Sequence, residues 1–170
     1  DDGVRHPTAP ADDYTTGRIE RVDLETGAVE VLYTECDGRP LCGPNDIVFD
    51  AKGNFWFTDL GKSRDFDMDR GAVYYARSDG SLIKRTAAPL MTPNGIGLSP
   101  DDSRVYAAET DPRRLLAWDI VGEGELATKP WPAVGWGDVI MAPEGIKRFD
   151  SLALEANGNI CVATLLTGGI

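Results

Sequence analysis

Asn45-Asp46-Ile47-Val48-Phe49-Asp50-Ala51-Lys52-Gly53-Asn54-Phe55-Trp56-Phe57-Thr58-Asp59 reads as a β-hairpin. Ile47, Phe49, Phe55 and Phe57 alternate around the turn Asp50-Ala51-Lys52-Gly53-Asn54. Period-two apolar spacing around Asp, Asn and Gly residues is a strong hairpin signal. The pattern returns from Asn94 to Thr110 around Ser99-Pro100-Asp101-Asp102-Ser103. It returns again from Asp150 to Thr164 around Glu155-Ala156-Asn157-Gly158-Asn159. Each copy opens on a carboxamide or a carboxylate, and the copies recur at about 50-residue spacing, the unit size of a propeller blade.

A second hairpin type interleaves with the first. It runs from Gly17 to Tyr33, returns from Gly71 to Ile83, and returns more loosely at Arg114-Leu115-Leu116-Ala117-Trp118-Asp119-Ile120 before Gly122-Glu123-Gly124. Its polar and apolar residues alternate more cleanly, which predicts one solvated face. An inner and an outer hairpin together make four strands per repeat. The expected fold is therefore all-β, a β-propeller of which about three blades are present. A two-sheet sandwich does not explain the recurring turn chemistry. Residues 1–16 are expected to form a polar leading loop and residues 17–170 a partial propeller domain, truncated at both ends. Open sheet edges would then favour self-association.

Bulk composition narrows the function classes. With 28 acidic against 17 basic residues the net charge is -11, the wrong sign for a nucleic-acid surface. No apolar run approaches the roughly 20 residues of a membrane span. The expected partner is a small molecule, with no nucleic acid and no membrane. Cys36, Cys42 and Cys161 lack metal-type spacing and read as free thiols of a reducing, cytoplasmic compartment, with a Cys36–Cys42 disulfide as the other reading.

In a propeller the innermost strand of each blade runs along the central channel, so residues that open those strands line one mouth of it. Asn45, Asn94 and Asp150 hold that place. One such residue could simply cap a strand end; three in register suggest convergence. Their donors are oxygens, two neutral and one charged. That suits calcium, which takes six to eight oxygens, better than zinc, which prefers nitrogen and sulfur. Other conspicuous residues read as structural. His6 sits in the leading loop, and Ser63 and Ser151 have no histidine partner by motif. Asp65-Phe66-Asp67-Met68-Asp69 lacks the glycine and glutamate of an EF-hand and reads as a solvated blade connection bordering the channel mouth. Trp56 and Trp118 read as core.

Three linked motifs resemble the SMP-30/gluconolactonase/LRE-like family, which includes regucalcin. They are Pro44-Asn45-Asp46 with Phe55-Trp56-Phe57-Thr58-Asp59, Pro93-Asn94-Gly95-Ile96-Gly97-Leu98-Ser99-Pro100-Asp101 with Val105-Tyr106-Ala107-Ala108-Glu109-Thr110, and Phe149-Asp150-Ser151 with Gly158-Asn159-Ile160-Cys161-Val162-Ala163. The resemblance implies a six-bladed propeller with one divalent cation, calcium first, with Zn2+, Mg2+ and Mn2+ as the other candidates. It implies metal-assisted ring-opening hydrolysis of sugar or related lactones. Asn94 and Asp150 fall on the family's metal-binding asparagine and aspartate, and Asp150 doubles as general base. Asn45 falls on an asparagine that contacts substrate in the lactonases and binds metal in the squid-type phosphotriesterase. Asp46 follows it in the family pattern, either supporting the ligands from behind or facing substrate. The family's first-blade glutamate, in a Glu-Gly-Pro context, has no counterpart here, since Pro143-Glu144-Gly145 comes too late in the order. Gly43 stands where some members carry a basic residue. A phosphotriesterase-like hydrolase and a non-catalytic calcium- or partner-binding propeller are the alternatives.

Overall fold

A computed structural model describes residues 10–170; His6 and the first nine residues of the leading loop lie outside them. The chain is almost entirely β-structure. Strands β1 (Ile19–Val22) and β2 (Val29–Tyr33) form a hairpin, followed by the small hairpin β3 (Glu35–Cys36) and β4 (Arg39–Pro40). Strands β5 (Pro44–Phe49), β6 (Phe55–Asp59), β7 (Gly71–Ala76) and β8 (Ile83–Leu90) make a four-stranded antiparallel meander. The next sheet is β9 (Pro93–Leu98), β10 (Arg104–Glu109) and β11 (Arg114–Gly122), whose outer edge is shared by two short strands. Strand β12 (Glu125–Leu126) pairs with its far end, and β13 (Asp138–Met141) pairs with Leu115, Leu116 and Ala117. Strands β14 (Arg148–Leu154) and β15 (Ile160–Leu165) form the last hairpin.

These sheets are propeller blades, and among the described residues they do not close into a ring. The first two inner hairpins each join the strands that follow them, so Asn45–Asp59 pairs with Gly71–Leu90 and not with Gly17–Tyr33. Strand β13 has no counterpart among the repeats: it follows the proline-interrupted Lys129-Pro130-Trp131-Pro132 and supplies the outer strand where β12 stops.

Core residues lie between blades. Trp56, Val73 and Tyr75 of one sheet pack against Ile96, Leu98, Val105, Ala107, Leu116 and Trp118 of the next. Phe55, Phe57 and Tyr74 face the other way, toward Tyr33, Cys36 and Leu41. Tyr106, Ala108, Leu115 and Ala117 pack against Phe149, with Leu152, Leu154, Ile160 and Val162 beside them. Alternation within one strand thus feeds two cores. This corrects the expectation of a wet face on the outer hairpins. Strands β1 and β2 are largely exposed on both faces, Val22, Val29 and Val31 included, whereas every residue of β7 is buried because neighbours cover both of its faces. Trp56 and Trp118 are each 2% exposed, as core residues should be. The three cysteines are free thiols, and burial pushes those of Cys36 and Cys42 up. Among the described residues no helix is long and apolar enough to cross a membrane.

Candidate active site at three aligned bulges

Strands β5, β9 and β14 are the first strands of consecutive sheets, and β9 touches both of the others. Each carries the same irregularity at the same place. Pro44 pairs with Asp59 and Ile47 with Phe57, so Asn45 and Asp46 together face the single residue Thr58. Pro93 pairs with Glu109 and Ile96 with Ala107, so Asn94 and Gly95 face Ala108. Phe149 pairs with Thr164 and Leu152 with Val162, so Asp150 and Ser151 face Ala163. Two residues against one is a β-bulge, a device that re-aims side chains and is common beside active sites. The repeated polar residues are therefore the bulged residues themselves.

Side-chain bonds then link one bulge to the next. Asp46 Oδ2 accepts the Ile96 amide at 3.1 Å, and its Oδ1 accepts the Ile47 amide at 2.9 Å. The Thr58 hydroxyl accepts the Asp46 amide at 3.2 Å and donates to the Asn94 carbonyl at 2.5 Å, filling the ladder position that the first bulge breaks. Asn94 is 7% exposed. Its Nδ2 donates to Asp150 Oδ1 at 2.8 Å and to Thr110 Oγ1 at 3.2 Å. Both amide hydrogens are then used, and Oδ1 is the group's remaining acceptor. Gly95 makes this approach achievable. A Cβ there would lie 2.5 Å from the Leu152 nitrogen and 2.6 Å from the Asp150 carbonyl oxygen.

Buried acids pin the turns that lead into the bulges. Asp59, 3% exposed, accepts the amides of Cys42 and Gly43 at 2.7 Å and that of Gly61 at 2.9 Å. Glu109, fully buried, accepts the Met91 amide at 2.7 Å and pairs with Arg114 at 2.6 Å. Thr92, just before Pro93, sits at φ 46, which a β-branched residue rarely adopts. The amides of Thr110 and Asp111 hold it there through its carbonyl and hydroxyl. None of these supports stood out in the sequence, although Asp59 and Glu109 take equivalent places, opposite Pro44 and Pro93. The aspartate-rich run lies in the β6–β7 connection at the same end of the sheet as the first bulge. Arg64 bonds Asp67 and Asp69 there, and its hydrogen bonds hold the Asp69 carboxyl below its ordinary value.

Of the residues singled out from sequence, Asn94 and Asp150 meet directly. Asp46 lies one blade away, with both oxygens on backbone amides. Asn45 is exposed at the same bulge as Asp46 and makes no side-chain hydrogen bond to another described residue. Among the described residues no group of three or more His, Cys, Asp and Glu side chains is placed to hold a metal. The Asn94–Asp150 pair, all oxygen on its remaining acceptors, fits part of a hard-cation donor set.

Consecutive antiparallel sheets with aligned polar bulges on their first strands define a propeller-type protein. This chain belongs to the SMP-30/Gluconolactonase/LRE-like family, whose sequence profile matches residues 14–170. It is 33% identical over 150 residues to a lactonase, drp35, of Staphylococcus saprophyticus, covering 88% of this chain and 43% of that protein. It is 30% identical over 145 residues to diisopropyl-fluorophosphatase of Loligo vulgaris, covering 79% and 44%. A gluconolactonase structure from Xanthomonas campestris superposes with a TM-score of 0.67 at 25% identity, covering 86% of this chain and 48% of that one. The chain thus spans under half the length of these relatives.

Proposed function

We propose that the protein containing this chain is a metal-dependent lactone hydrolase whose centre includes Asn94 and Asp150. The observation that carries the reading is the 2.8 Å bond between them, made across two blades by an asparagine whose amide hydrogens are both engaged. Asn94 and Asp150 would hold a divalent cation, calcium by the all-oxygen character of the donors. When bound, it supplies polarisation of the lactone carbonyl and a more acidic water. The chain's own residues do the rest. Asp150 accepts the proton of the attacking water on the oxygen that Asn94 does not engage. Asn94 fixes that carboxylate through Nδ2. Asn45, exposed at the adjacent bulge, donates and accepts hydrogen bonds to the substrate. Asp46 and Thr58 keep the two bulges in register.

The test uses the full-length protein with gluconolactone and simple γ- and δ-lactones, with and without chelator. Chelation and Asp150→Ala should each abolish hydrolysis, and re-added calcium should restore the chelated enzyme. Hydrolysis indifferent to both overturns the reading. Calcium binding without hydrolysis of any lactone or ester would instead support a binding propeller. The similarity to a fluorophosphatase favours a second reading, phosphotriester hydrolysis at the same centre. A fluorophosphate substrate turned over faster than any lactone would establish it.

A further inference from the structure

Away from the bulges, a cavity of about 290 Å³ opens between β4 and the outer strands β7 and β8, lined by Arg39, Arg70, Tyr74, Arg85, Ala88 and Pro89. Three guanidinium groups on one cavity are unexpected in a chain of net charge -11. Arg18, Arg21, Arg64, Arg77, Arg104, Arg114 and Arg148 each pair with a carboxylate. Among the described residues Arg39, Arg70 and Arg85 have no such partner, nor does Arg113, which bonds the Gly145 carbonyl and does not line this cavity. Arg70 is held only by a long bond from Nε to the Leu90 carbonyl, 3.4 Å.

Tyr74 is 2% exposed, with its ring stacked on Phe57 at 5.0 Å. Its hydroxyl makes no hydrogen bond to another described residue. Burial pushes the phenol up to about 12, with Asp59 adding to the rise, so it stays a neutral donor. Asp59 itself is occupied by three backbone amides. The cavity therefore offers cationic and neutral donors without a competing free carboxylate on its lining. A guanidinium fork matches the oxygens of a phosphoryl group two at a time, and several forks match its double charge.

We propose that this cavity binds a phosphate group, free or as the end of a small phosphate ester. Titration calorimetry of the full-length protein at low ionic strength tests it, with inorganic phosphate in one arm and glycerol phosphate in the other. Saturable binding is expected in at least one arm, and the tighter arm identifies the source. Arg85→Gln or Arg39→Gln should weaken it about tenfold, the scale of one charge-assisted hydrogen bond. Tyr74→Phe, which keeps the stacked ring, should weaken it by a smaller factor. Arg64→Gln, already paired elsewhere, should leave it unchanged. Equal melting temperatures for the arginine variants separate lost binding from lost fold. No saturable binding in either arm, unaltered binding in both Arg39→Gln and Arg85→Gln, or acetate bound as tightly as phosphate overturns the proposal. The lactone assay is independent of each of these outcomes.

Discussion

At the first bulge the second residue is Asp46; at the second it is Gly95. The backbone irregularity is the same at both. Asp46 reaches forward and bonds the Ile96 amide, so the first bulge becomes a seam between blades. Gly95 has nothing to reach with, and the backbone of β14 moves into the space. That brings Asp150 against Asn94, and the second bulge becomes a site. One architecture thus gives a joint where the residue after the asparagine is a carboxylate, and a polar centre where it has no side chain.

The difference can be broken most severely at Gly95. In Gly95→Ala a methyl group would stand within 2.7 Å of three backbone atoms of β14, which cannot rotate away. A cost near the top of the overpacking range, about 3 kcal/mol, is expected. Urea unfolding measures it, and the variant should also lose lactone hydrolysis in the full-length protein. A cost below about 0.5 kcal/mol, within the range of ordinary surface changes, would show that close approach of β14 does not build the second bulge.

Thr58 tests the link between the two. Thr58→Val keeps the shape but removes the hydroxyl that serves both the Asp46 amide and the Asn94 carbonyl. Thr58 is fully buried, so the orphaned groups should cost about 1–3 kcal/mol. Asp46 tests the seam from its first-bulge side. Asp46→Ala leaves the Ile96 and Ile47 amides without their side-chain partner and should cost about 1–2 kcal/mol, whereas Asp46→Asn keeps one acceptor and should cost less. If both Asp46 variants unfolded at the parent's urea concentration, the carboxylate would not be the joint.

Much of this was legible in sequence because the repeats report it twice, through turn chemistry and through register. Alternation of Ile47, Phe49, Phe55 and Phe57 fixed the hairpin, and the observed pairing of Ile47 with Phe57 and Phe49 with Phe55 follows it. Three features were not legible. Burial of β7 on both faces depends on neighbouring blades, which leave no mark on a period-two pattern. Strand β13 comes from outside the repeat. The bulges are invisible because an extra residue shifts register without changing composition. Asp59 and Glu109 carried a faint signal as acids at or next to the ends of the first two repeats. Their work on the amides of Cys42, Gly43 and Met91 lies across a turn, and no local pattern encodes it.

The hairpin turns give the smallest contrast, and pH resolves it. In the first blade Asp50 Oδ1 accepts the amides of Lys52 and Asn54. In the second, Asp101 Oδ1 collects the hydroxyls of Ser99 and Ser103 and the Ser103 amide. Those bonds, the Ser99 hydroxyl first, lower the Asp101 carboxyl from 3.8 to about 2. A carboxyl depressed on folding adds stability that is fully present above its unfolded value and fades as pH falls through its folded one. The second turn should therefore weaken between about pH 4 and pH 2. Asp101→Asn removes the titrating group, so its urea midpoint should lie below the parent's at pH 6 and approach it as the pH falls. Ser99→Ala should flatten the same difference part of the way, because the carboxyl then returns toward its ordinary value. A parent–variant gap that stays constant from pH 6 to pH 2 would show that the Asp101 charge contributes nothing to the turn, and that shape alone distinguishes the two hairpins.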